Sequence, residues 1–155
     1  MARSPRIEPL SSPLMPITHL LDSSVYSQPL RPRPLPRVEE RWSLLGDQAL
    51  SISVICEAEV QFGIELRQSK RLSALYDEVL RDRLHLYPVD RDVSRAFALA
   101  KAVARRRGRT CSDFDFLIGA TAQVHGLIVA TLNPAHFRFI DGLPVEDWSS
   151  ATPKP

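Results

Sequence analysis

Apolar positions along the chain alternate between strand-like and helix-like spacing. The run Ile17-Thr18-His19-Leu20-Leu21 ends at Asp22-Ser23-Ser24, which reads as a strand entering a helix N-cap. Pro29, Pro32, Pro34 and Pro36 forbid a continuous helix and predict an extended or turning connection. Val38, Trp42 and Leu45 then fit a short amphipathic helix over 37–45, stopped by Gly46, and a second strand is predicted at 49–52. Ser53 can cap a helix that carries Val54, Ile55, Ala58, Phe62 and Leu66 on its buried side.

The next helix is predicted over 70–83, with Leu72, Leu75, Val79 and Leu80 apolar, followed by an alternating strand at 84–89. Asp90 leads into a helix that runs to 107 through Val93, Phe97, Ala100 and Val103 or Ala104, with Gly108 as its stop. Ser112 opens a helix that buries Phe116, Leu117, Ala120 and Val124 and ends at Gly126. Residues 127–131 are strongly strand-like, and 145–148 make a last edge strand. Strands alternating with helices predict an α/β domain with a largely parallel central sheet, covered by helices on both faces. In such folds the binding crevice lies beyond the carboxyl ends of the strands.

A chain of 155 residues makes one domain, and 44% hydrophobic with 25% charged residues makes it globular. Residues 1–15 are rich in Pro and Ser without periodicity and are expected to be a disordered extension, with Met15 a candidate true start. The domain proper is expected at 16–148, with 149–155 a loose tail. No apolar run reaches the roughly 20 residues needed to cross a bilayer, and no apolar segment of a secretory signal follows the basic start. Cys56 and Cys111 both fall in apolar helical patterns and read as reduced core thiols of a cytoplasmic protein.

The net charge of +2 advertises no overall nucleic-acid field. Two local clusters exist: Arg31, Arg33, Arg37 and Arg41, and Lys101, Arg105, Arg106, Arg107 and Arg109. Each reads either as a phosphate-binding surface or as a solvated helix face. No glycine-rich phosphate loop is present, which argues against a nucleotide-driven motor or kinase.

Four polar residues fall where the predicted topology brings chain segments together. Asp22 and Asn133 lie at strand ends, while Glu59 and Asp115 lie in the first two turns of helices. Each has a plain structural role open to it: Asp22 as a helix cap, Glu59 as a surface residue, Asp115 as partner of Ser112 in a capping box, Asn133 as a turn residue before Pro134. Glu57 and Asp113 should point elsewhere on their helices, toward the surface. Gathered together, the carboxylates repel, by about 4 kcal/mol for unit charges ~4 Å apart at an effective dielectric near 20. Their proton affinities rise unless a divalent cation sits between them. An all-oxygen set suits Mg²⁺ or Mn²⁺, which makes bound water a better nucleophile and stabilises charge on a phosphoryl oxygen. Phosphodiester hydrolysis is the matching chemistry. His19, His85, His125 and His136 show no metal-ligand spacing; His136 lies near the expected crevice, as a surface residue or a contact to phosphate.

The order of these segments resembles PIN-domain nucleases, in particular VapC-type toxins of bacterial toxin–antitoxin pairs, from about Ile17 to Trp148. The resemblance is carried by Leu21-Asp22-Ser23-Ser24-Val25, by Ile52-Ser53 with Ala58-Glu59-Val60 and Gly63, and by Asp115-Phe116-Leu117-Ile118-Gly119-Ala120. Thr131-Leu132-Asn133 with His136-Phe137, and the closing Gly142-Leu143-Pro144-Val145-Glu146-Asp147-Trp148, complete it. It implies metal ligation by Asp22, Glu59 and Asp115. It places Asn133 at a more variable, usually acidic position, which puts a second metal ion in doubt, and it gives Ser23 or Ser24 an orienting role. It further implies a PIN-like fold and a Mg²⁺-dependent endoribonuclease, with Mn²⁺ able to substitute. The implied partners are substrate RNA, a cognate antitoxin and a second copy of the chain in a homodimer, with DNA reached only through the antitoxin. The uncharged Asn133 keeps a second reading open, a catalytically degenerate domain that binds antitoxin or nucleic acid. A nuclease that works on DNA or processes RNA without an antitoxin is the third.

Overall fold

The computed structural model describes residues 16–150; the expectations for 1–15, including Met15 as a start, and for 151–155 lie outside them. Five strands form one sheet: β1 (His19–Leu21), β2 (Leu50–Ser53), β3 (His85–Tyr87), β4 (Ile128–Thr131) and β5 (Val145–Asp147). Their order is β3-β2-β1-β4-β5, and every pairing is parallel. The helices are α1 (Ser23–Tyr26), α2 (Pro36–Leu45), α3 (Val54–Arg67), α4 (Lys70–Val79), α5 (Arg91–Arg106) and α6 (Asp113–His125).

Parallel strands need crossovers, and these are right-handed almost without exception. The chain steps outward from β1 to β3 and then returns across the sheet to β4, so the later helices cover the opposite face. Adjacent residues Leu20 and Leu21, which point to opposite faces, are both fully buried, as two-sided cover requires. The caps anticipated at Ser53 and Ser112 form, each hydroxyl accepting from a backbone N–H of the first turn. Gly46, Gly108 and Gly126 end their helices with φ between 66° and 78°, backbone that side-chain-bearing residues rarely adopt.

Several details differ from the sequence expectation. On α3 the buried stripe is Cys56, Val60 and Ile64, while Ala58 is exposed and Phe62 and Leu66 are 66% and 71% exposed. Both stripes are apolar at helical spacing, so periodicity alone could not choose between them. The helix over 70–83 stops at Val79; Tyr76 is its buried anchor, and a turn with Asp82 at φ 55° leads into the short β3. Helix α6 is buried nearly all round, through Phe116 and the run Ile118 to Ala122, because it lies between α3, α5 and the sheet. A Cβ on Gly119 would run into the Ile140 side chain, so that glycine is what lets the 137–143 loop close over α6. Cys111 precedes the Ser112 cap and is half-buried, so only Cys56 is a core thiol. Glu57 is partly buried rather than at the surface, near enough to Tyr26 and Tyr76 to be felt electrostatically.

The first arginine cluster divides between two jobs. Arg37 donates to the Ser149 carbonyl at 2.9 Å, and Arg41 donates to the carbonyls of Asp147 at 2.8 Å and Ser150 at 3.3 Å. These two tie α2 to the end of β5, so Ser149 and Ser150 are held rather than loose. Next to that latch, the His19 ring and the Trp148 indole N–H both meet the Glu146 carboxylate at 3.1 Å.

Candidate active site

The strand order reverses direction at β1, whose neighbours β2 and β4 belong to the outward and returning halves of the chain. Such a switch point opens a crevice at the carboxyl ends of the central strands. Asp22 is the first residue beyond β1 and is only 5% exposed. It caps α1, Oδ1 accepting from the Ser24 N–H and, at 2.7 Å, from the Ser24 hydroxyl. Its Oδ2 accepts from the Thr131 hydroxyl at the end of β4. The same hydroxyls continue the network, Ser24 Oγ accepting from Leu132 N–H and Thr131 Oγ1 from Asn133 N–H, each at 3.0 Å. Asp22 is therefore both a helix cap and a member of the site.

Glu59 stands in the second turn of α3. Its Oε1 is buried without a hydrogen-bond partner among the described residues. Burial raises its proton affinity, and the charges of Asp115 and Asp22 raise it further, with the Ser23 hydroxyl a partial counterweight. Asp115 lies in the first turn of α6, its N–H bonded to Ser112 Oγ at 3.1 Å, so the capping role is real as well. Its side chain is 18% exposed and faces His136 Nδ1 at 3.6 Å. Burial lifts its proton affinity and Asp22 adds to that; Ser112 and His136 oppose the rise without cancelling it.

Three of the four predicted residues are thus near enough to repel one another. The fourth is not engaged: Asn133 is exposed at the start of the turn Pro134–Phe137, and its side chain makes no capping bond. Asp113 is a surface residue paired with Lys101 at 2.7 Å. Among the described residues no three His, Cys, Asp or Glu side chains already converge on one point as a cation site. The donor set nevertheless fits a hard divalent cation: three carboxylates, one with an orphaned buried oxygen and two held above their ordinary proton affinity.

Beside the carboxylates lies an open cleft of about 750 Å³, bordered by Ser23 and Glu59 at the site and by Arg31, Arg33, Arg67 and Arg71 beyond it. Arg67 and Arg71 were not legible as a cluster, because a turn separates the end of α3 from the start of α4. Thr131 was also missed; its only signal was a hydroxyl at the end of an apolar strand. The second basic cluster is not part of the cleft lining: Arg107 pairs with Asp141 at 2.6 Å and Arg109 lies over the Phe139 ring.

The chain is similar to known proteins in both sequence and fold. Toxin FitB of Neisseria gonorrhoeae is 31% identical over 135 residues, covering 83% of this chain and 97% of that protein. The tRNA(fMet)-specific endonuclease VapC of Salmonella typhimurium is 27% identical, over 72% of this chain and 83% of its own. The crystal structure of DNA-bound VapBC from Salmonella typhimurium superposes with a TM-score of 0.74 at 26% identity, covering 85% of this chain and 98% of that one. The family pattern of the PIN domain matches residues 19–142, which span β1 to β4, the carboxylates and the cleft. With that match over most of its length, this chain belongs to the PIN-domain family.

Proposed function

We propose that this protein is a metal-dependent endoribonuclease toxin, held inactive by a cognate antitoxin. The observation that carries the reading is Glu59, whose buried Oε1 has no partner among the described residues and whose ionisation is opposed by burial and by both Asp115 and Asp22. Such an atom beside two like charges calls for a partner, and a divalent cation is the one that would also relieve their repulsion. Asp22, Glu59 and Asp115 would hold Mg²⁺, or Mn²⁺ in its place, and the ion would supply charge stabilisation at a scissile phosphate and an activated water. The chain's own part is orientation. Thr131 and Ser24 fix the Asp22 carboxylate, Ser112 fixes the first turn that carries Asp115, and His136 stands at its open side.

RNA as substrate and an antitoxin as partner draw support from relatives named as a toxin, as a tRNA endonuclease and as the VapBC complex on DNA. A homodimer is the assembly this reading favours, and the outward face of α3, with Ala58, Phe62 and Leu66, is an apolar surface for a second copy. DNA would be met only through the antitoxin. No helix among the described residues is long and apolar enough to cross a membrane.

The deciding experiment is cleavage of RNA by antitoxin-free protein with Mg²⁺ or Mn²⁺, with EDTA, and with Asp115→Asn. Cutting that needs the ion and vanishes in the variant is the expected result. Cutting unaffected by EDTA, or retained by folded Asp115→Asn protein, would overturn the metal assignment. No cutting of any RNA would turn attention to a binding role for the exposed Asn133 and its neighbours.

A further inference from the structure

Four guanidinium groups border the cleft next to the carboxylates: Arg31 and Arg33 on the proline-rich segment, Arg67 at the end of α3, and Arg71 in the first turn of α4. All four are exposed, and none makes an ion pair or hydrogen bond with a described residue. Four cations around one opening repel each other, and no described carboxylate is paired with any of them. The Arg37 and Arg41 neighbours show the contrast, since both are spent on backbone carbonyls.

The floor of the same cleft holds a second anomaly. Glu59, Gly63 and Arg67 follow one another at intervals of four residues and so lie along one face of α3. Gly63 is in mid-helix, where glycine is disfavoured. Its φ is ordinary, and a Cβ there would meet nothing within 4 Å. Neither backbone conformation nor internal packing asks for glycine. What its absence of a side chain does is leave the helix backbone bare between the carboxylate and the arginine, a distance of about 12 Å from Glu59 to Arg67 along the axis.

We infer that this cleft is the track for the sugar–phosphate backbone of the RNA, with Arg31 and Arg33 on one wall and Arg67 and Arg71 on the other gripping phosphates. The bare helix at Gly63 lets the strand run close to α3 on its way to Glu59. The inference rests on the ribonuclease reading and deepens it by naming residues that bind substrate without entering the chemistry. A track built this way reads charge and chain thickness, not bases, so these residues set affinity while sequence choice lies elsewhere.

The test is fluorescence anisotropy of a labelled single-stranded oligoribonucleotide against full-length protein carrying Asp115→Asn, over a series of KCl concentrations. Adding Arg67→Gln with Arg71→Gln should weaken binding at least tenfold and lower the slope of log affinity on log salt by about 1.4, two phosphate contacts at ~0.7 each on a single strand. Adding Gly63→Leu should weaken binding while the melting temperature holds or rises. In otherwise unchanged protein the same substitutions should raise KM and leave kcat nearly intact. If the variants bind the oligonucleotide as the parent does, with an unchanged salt slope, while protein with Asp115 intact cuts RNA in a metal-dependent way, the track is wrong and the ribonuclease reading stands. If they bind RNA normally but lose an acidic peptide, the cleft is a protein-docking site and the inference is likewise overturned. Asp115→Asn protein that does not bind RNA, together with unsubstituted protein that does not cut it, removes both.

Discussion

Thr131, the last residue of β4, donates its hydroxyl to the carboxylate of Asp22, the first residue beyond β1. The bond joins the two strands that flank the switch point and fixes one oxygen of a nearly buried carboxylate. Thr131→Val keeps the shape and removes the donor. A buried bond to a charged acceptor contributes about 1.5–3 kcal/mol, so a loss near 2 kcal/mol in urea unfolding is expected, together with reduced cleavage. Thr131→Ser should restore both. A valine variant with unaltered stability would show that Ser24 alone holds Asp22.

Ionisation of Glu59 and Asp115 is opposed in the folded protein, which lifts both above their ordinary values of 4.5 and 3.8. Groups shifted upward favour the fold fully below their unfolded pKa values and withdraw that support as pH rises through the folded ones. Metal-free protein should therefore lose this contribution on going from about pH 4 to neutrality. A divalent cation reverses the balance, since it binds the ionised forms. Thermal melts with Mn²⁺ should show a larger stabilisation at pH 7.5 than at pH 5. Equal shifts at the two pH values would argue against carboxylate ligation.

Glu59→Gln separates stability from function. Removing a half-buried charge that faces two other carboxylates should raise the melting temperature of metal-free protein at pH 7.5 and abolish the Mn²⁺ shift. Cleavage should fall by roughly a hundredfold or more, as loss of a ligand to the ion would cause. A variant that is less stable yet fully active would contradict both halves of the assignment.

Gly119 faces the Ile140 and Leu143 side chains of the loop that follows β4, with no room for a methyl between them. Gly119→Ala places a methyl against Ile140, with Leu143 alongside. Overpacking of this kind costs about 1–3 kcal/mol. Guanidinium unfolding should detect it, and pairing the change with Ile140→Val should recover part of the loss. No destabilisation would mean that the 137–143 loop yields easily.

The α/β alternation was legible because strand-like apolar runs end at helix caps, as at Leu21-Asp22, and helices end at glycines, as at His125-Gly126. The carboxylates were legible for a related reason. Asp22 sits at a strand end, and Glu59 and Asp115 in the first two turns of helices, which parallel topology must bring to one edge. What sequence could not show was the side of a helix that faces inward when two stripes are apolar. Phe62 and Leu66 on α3 were therefore assigned to the core and proved exposed. Nor could it sort arginines by use. Arg31 and Arg37 belong to one run of basic residues, yet one borders the cleft and the other grips the Ser149 carbonyl. Residues joined only by tertiary structure, Thr131 with Asp22 or Arg33 with Arg71, leave no periodic trace.

The grip of Arg37 and Arg41 on the carbonyls of residues 147–150 reaches further than the edge strand it fastens. Helix α2 begins three residues after Arg33, so the segment that supplies one wall of the cleft is moored to the far end of the domain. Replacing both arginines would release that mooring. The wall would then be held by the buried Val38 and Trp42 of α2 and by the Leu35 N–H on Gln28, and a change remote from every carboxylate would be felt as a looser hold on the proposed substrate.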